Sequence, residues 1–158
     1  MLRLQLAGGA ADVPAARRAV TDALAGERSD VVETARLLVT EVVTNVVIHA
    51  RTSCLVEVER TAGSARIFVS DGSTALPQPR VHGSDASTGR GLRLLGTLAT
   101  AWGISKAPGR PGKTVWFEVD LLNQPETDED LAATFAGDWL AEFERVEDDM
   151  SVGNGPER

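Results

Sequence analysis

The sequence predicts one α/β domain of the α+β kind, on three observations. Five short segments, at 2–6, 55–59, 65–69, 102–106 and 114–122, carry the two-residue alternation of strands or its close equivalent. Three others, at 13–26, 31–50 and 92–100, read as helices. Hydrophobic residues make up 42% of the 158, enough for a core, yet aromatics are only 4%, so Val, Leu, Ile and Ala must fill it.

In chain order, Leu2, Leu4 and Leu6 alternate with polar residues and give the first strand. Asp12 is a candidate cap for a helix that begins at Val13-Pro14, since proline is tolerated in a first turn, and that runs to Gly26. Asp30-x-x-Glu33 resembles a capping box. The helix it opens continues through Val31–Ala50 without Gly or Pro, with Leu38, Val42 and Val46 at helical spacing. Its many β-branched residues are poor helix formers alone, so tertiary packing must hold it.

Residues 55–59 and 65–69 form a hairpin around Ala62-Gly63. From Asp71 to Arg90 the chain is rich in Gly, Ser, Thr and Pro and has no period, the pattern of a functional or mobile loop. A short helix, Leu92–Thr100, follows. Two final strands, Trp102–Lys106 and Thr114–Leu122, are joined by Pro108-Gly109-Arg110-Pro111-Gly112. Within 126–149, Leu131, Phe135, Trp139, Phe143 and Val146 recur every three or four positions opposite an acidic face. That pattern predicts an amphipathic helix docked on protein. The expected organisation is therefore a domain at 1–123, an acidic helix at 124–150 and a disordered tail at 151–158.

Charge separates the same parts. Residues 1–123 hold 14 basic and 12 acidic groups, a balance of +2, and residues 124–158 hold 2 and 11, a balance of −9. A near-neutral domain lacks the basic surface that nucleic acid requires, and an acidic helix is repelled by anionic leaflets. The lone Cys54 sits among apolar residues and reads as a buried core thiol. There is no run of about twenty apolar residues and no signal-peptide pattern, so a cytoplasmic protein is expected.

Four short motifs carry chemistry. Glu41, Asn45 and His49 are four apart and share a helix face. Alone, they fit an exposed polar stripe on an amphipathic helix better, since such stripes are common. Asp71-Gly72 ends an apolar strand, where a carboxylate can accept from an amine on a flat ligand; an ordinary turn has the same residues. Gly89-Arg90-Gly91-Leu92 opens a helix, where backbone N–H groups can meet phosphate oxygens. Gly112-Lys113-Thr114 enters a strand and has neither the glycine spacing nor the following helix of a Walker A loop.

In this order and at these separations, the motifs resemble the histidine-kinase-like ATPase superfamily, also called GHKL, over residues 2–121. The similarity is greatest to the small anti-sigma-factor serine/threonine kinases. Thr40-Glu41-Val42-Val43-Thr44-Asn45-Val46-Val47-Ile48-His49-Ala50 is the most diagnostic stretch. The resemblance implies a two-layer sandwich: a mixed, mostly antiparallel sheet with helices on one face. It implies ATP bound between the Glu41 helix, the Asp71 turn and the Gly89 helix start. Glu41 would be the catalytic carboxylate and Asn45 the Mg²⁺ ligand. Asp71, with Gly72, would take the adenine amine, assisted by Thr114. Gly89, Arg90, Gly91 and Leu92 would line the phosphates, and residues 73–90 would form a lid. Thr74 stands where the family often has a further glycine.

The implied activity is phosphorylation of a small anti-sigma-factor antagonist, which in turn controls a sigma factor. The alternative is a nucleotide-regulated binding switch without kinase activity, and Glu41 speaks against it. Monomer and homodimer both stay open on the sequence.

Overall fold

A computed structural model of the chain describes residues 1–75, 87–106, 109 and 111–122, with the backbone alone for 87–90. The expected helix at 126–149, the tail, and the stretch 76–86 of the expected lid lie outside the described residues.

Five strands, β1 (Leu2–Leu6), β2 (Cys54–Arg60), β3 (Ser64–Asp71), β4 (Ala101–Lys106) and β5 (Lys113–Asp120), make one sheet. Their order is β1-β2-β3-β5-β4. All four pairings are antiparallel, so among the described residues the sheet has no parallel pair and is not mixed.

Alternation puts Val56, Val58, Ile67, Val69, Val115 and Phe117 on one sheet face, and all are buried. Helices α1 (Asp12–Ala23), α2 (Ser29–Asn45) and α3 (Ser87–Leu98) cover that face. Val20, Leu38, Val39, Val43, Leu92 and Leu95 join the same core. The opposite sheet face carries charge pairs, including Arg3 with Glu57 and Arg66 with Glu118. α2 lies in the middle, against α1, α3, β3 and β5. Its β-branched residues Val31, Val39, Val42 and Val43 are all buried, which supplies the tertiary support the helix needs.

Two expected caps do not form. Asp12 is the first residue of α1, and its Oδ2 accepts from the Gly8 and Gly9 N–H groups at 2.6 and 2.9 Å. The carboxylate is therefore committed to the loop from β1 instead of the helix. At α2 the extended residue before the helix is Arg28 and makes no side-chain cap. Asp30 is bound by the Arg28 guanidinium, which holds its carboxyl below the usual range, and Glu33 pairs with Arg36. Neither carboxylate is left to close a box.

Two element boundaries also differ. The long second helix is α-helical only to Asn45. Val46–Ala50 form a π turn, closed by the Arg51 N–H donating to the Val46 carbonyl at 2.8 Å. Arg51 ends it in the left-handed region at φ 51°. α3 begins at Ser87, not Leu92, so the Gly89–Leu92 motif lies inside its first two turns.

Candidate functional site

A cleft of about 560 Å³, including solvent at its mouth, opens between α2, α3 and the β3–β5 end of the sheet. The walls are apolar: Val42 and Val46 from α2 and the π turn, Leu92 and Leu95 from α3, and Val115 from β5. Asn45, His49, Asp71, Ser73 and Lys113 are its polar lining. A flat apolar slot with a few fixed polar groups suits a ligand that has a ring and a charged end.

At one end, the helical repeat stacks Glu41 and Asn45 one turn apart on α2. Gly91 of α3 comes directly against them. A Cβ added at Gly91 would lie 3.2 Å from Asn45 Nδ2 and 3.7 Å from Glu41 Oε2. A glycine there lets α3 approach the carboxylate and the carboxamide of α2 closely, where a side chain would press on Asn45. The start of α3 also leaves its first four N–H groups without intrahelical partners, which favours an anion. Gly89 and Arg90 fall in that turn.

The other end is built by strand register. Asp71 closes β3 directly opposite Lys113, the first residue of β5. Opposed residues share a sheet face, so the two side chains meet. Lys113 Nζ lies 3.0 Å from Asp71 Oδ2 and 3.1 Å from Oδ1. Asp71 is 2% exposed and Lys113 6%. The Ser73 N–H donates to Asp71 Oδ1 at 2.7 Å. Gly112 makes the close approach between the strands: at φ 129°, a Cβ there would sit 2.0 Å from the Asp71 carbonyl oxygen.

The sequence-predicted residues thus divide. Asn45, Asp71 and Leu92 line the cleft, whereas Glu41 and Gly91 come together beside Asn45 and are not among the lining residues. Gly72 is on the exposed turn, its N–H donating to Thr52 Oγ1 at 3.1 Å. Thr114 does not reach the cleft. Its parity on β5 is opposite to that of Lys113 and Val115, and its hydroxyl lies 2.7 Å from Ser70 Oγ on the other sheet face. The residue of that motif facing Asp71 is Lys113, which the sequence reading left without a role. Its signal was available: Lys113 is in phase with buried Val115, Phe117 and Val119.

Residues 7–119 match the family described as the histidine kinase-like ATPase domain. The chain belongs to that family. Comparison with curated proteins gave no match. ATP binding and a kinase-like role follow from the family, and the α+β architecture is the family's own. Among the described residues no helix is long and apolar enough to cross a membrane.

The donors at the α2–α3 contact are the oxygens of Glu41 and the side-chain carbonyl of Asn45. Among the described residues there is no cluster of three His, Cys, Asp or Glu able to cage an ion. One carboxamide oxygen near a helix N-terminus would suit Mg²⁺ brought with a nucleotide, since that ion keeps several waters and is held by few protein oxygens.

Proposed function

We propose that this domain is an ATP-dependent serine/threonine protein kinase of the anti-sigma-factor kind. It transfers the γ-phosphoryl of ATP to a serine or threonine of a small antagonist protein and thereby regulates a transcription sigma factor. The observation that carries the enzymatic part is the contact of Gly91 with both Glu41 and Asn45. It brings a carboxylate and a carboxamide beside the first two turns of α3, whose N-terminus favours phosphate. The antagonist and the sigma factor rest on the similarity of the Thr40–Ala50 stretch and its companion motifs to that kinase group.

Adenine enters the apolar slot and gives its amine to Asp71. The triphosphate lies toward the start of α3, where the N–H groups of the first turn take phosphate oxygens. Asn45 would hold Mg²⁺ through its side-chain carbonyl oxygen, and the ion would supply charge neutralisation on the phosphates. Glu41 orients the attacking hydroxyl and accepts its proton as the oxygen bonds to the γ-phosphorus, while the bond from that phosphorus to the β,γ-bridging oxygen breaks and ADP leaves. Little covalent work is asked of the protein, so positioning and charge stabilisation supply most of the rate.

Candidate antagonists that co-purify with the chain, incubated with labelled ATP and Mg²⁺, test this reading. The label appears on a serine or threonine of one small partner. Glu41→Gln lowers the transfer rate by roughly 10²–10⁴-fold, the range of a lost general base, with ATP affinity almost unchanged. Bound ATP with no transfer to any partner would make the protein a nucleotide-regulated binding switch instead.

A further inference from the structure

The base end of the cleft holds two buried charges, not one. We propose that Lys113 is a specificity-determining residue of the nucleotide site. In this proposal its ammonium donates to a ring acceptor of the base while Asp71 accepts from the neighbouring amine. The inference rests on the nucleotide reading above and assigns a second half to the base recognition.

Geometry and stoichiometry of donors support it. Lys113 and Asp71 both line the cleft. The ammonium is placed almost evenly between the two carboxylate oxygens, at 3.0 and 3.1 Å. An ammonium has three donors and a carboxylate about four acceptor sites. Lys113 and the Ser73 N–H together occupy three of those sites. A donor on the lysine and an acceptor on the aspartate are therefore left side by side. The apolar walls, Val42, Val46, Leu92, Leu95 and Val115, cannot read a base edge by their side chains, and within the polar lining of Asn45, His49, Asp71, Ser73 and Lys113 the buried charged pair is Asp71 with Lys113.

A ligand satisfying both groups presents a donor next to an acceptor on one edge of a flat ring. The amine and the adjacent N1 of adenine do so. Lysine has no acceptor, so a ring with a C–H in place of N1 would leave a buried ammonium donor facing carbon, at the cost of an unmade charge-assisted hydrogen bond.

The test is a calorimetric comparison, on the full chain with Mg²⁺, of ATP and 1-deaza-ATP, which replaces N1 by C–H and keeps the amine. Parent protein is expected to bind ATP about 10- to 100-fold more tightly than the analogue. Lys113→Met is expected to weaken ATP by a similar factor and to bring the two ligands to within about twofold. Because Lys113→Met leaves Asp71 buried without its cation, Lys113→Gln is measured as well. It keeps a neutral donor on Asp71 and should retain only a few-fold preference. Equal affinity of the parent for both nucleotides would overturn the inference and leave the nucleotide site standing. So would a preference unchanged in Lys113→Gln, or tighter ATP binding by Lys113→Met, the mark of a lysine that competes with the base for Asp71. Failure of the parent to bind either ligand would overturn the nucleotide reading and this inference together.

Discussion

Asp71 shows how one residue serves both stability and ligand. A buried carboxylate is tolerable because Lys113 and the Ser73 N–H satisfy it. Removing it strands a buried ammonium. Asp71→Ala is therefore expected to lower unfolding stability by about 3–5 kcal/mol, measured in a urea melt. A loss of ATP binding in that variant must be read against its folded fraction. Cys54 presents the opposite case, a titratable group with no charged partner. It is buried, and burial first, then the nearby Asp12 and Asp71 carboxylates, pushes its thiol from its usual 9.0 up to about 11. The folded state thus favours the protonated thiol. Its contribution to stability is complete below about pH 9 and is lost as pH rises toward 11. Native protein should resist iodoacetamide at pH 8 and react once unfolded in urea. Fast labelling of the native chain would contradict the burial. The position of Cys54 was legible because it continues the alternation of Leu55–Val58. The Lys113 pairing was missed because a lysine beside Gly112 reads as a turn residue until its parity is compared with Val115 and Phe117.

Among the elements, α2 was read well and its ends were not. Its buried face follows from the helical period of Leu38, Val42 and Val46. The caps failed because Arg28, Arg36 and the Gly8–Gly9 amides compete for the carboxylates, and those competitors depend on the fold. No periodicity announces the π turn at Val46–Ala50 either, since one extra residue in one turn hardly changes the pattern. Arg51 leaves this turn at φ 51°, a conformation costing a non-glycine residue about 1–2 kcal/mol. Arg51→Gly should recover up to about 1 kcal/mol after the entropy cost of glycine, read as a rise in Tm. Gly112→Ala should do the reverse, because its Cβ would sit 2.0 Å from the Asp71 carbonyl. That variant is expected to lose most of its stability, and with it the Asp71–Lys113 register.

For the whole molecule, the fold was legible from strands at period two, helices at 3.6 and the separation of the motifs. The polar lining of the cleft comes from sequence positions up to 68 residues apart, Asn45 to Lys113, joined by α2 lying across β3 and β5. Individually each motif admitted a bland reading; only the fold makes them one cavity. The family match ends at residue 119 and β5 at Asp120. A chain cut at 123 is therefore expected to bind ATP as the full chain does, and a lower Tm in it would support docking of residues 124–158 on the domain.

In the proposed ATP site, Glu41, Asn45 and Gly91 would form the phosphate and metal end. Calorimetric titration of the full chain with ATP, with and without Mg²⁺, tests it most directly when parent and Asn45→Ala are compared. In the parent, Mg²⁺ should strengthen ATP binding by about tenfold or more, as expected for an interaction with a charged group. In Asn45→Ala that enhancement should largely vanish while the weaker metal-free binding persists. An equal Mg²⁺ effect in both proteins would contradict the account.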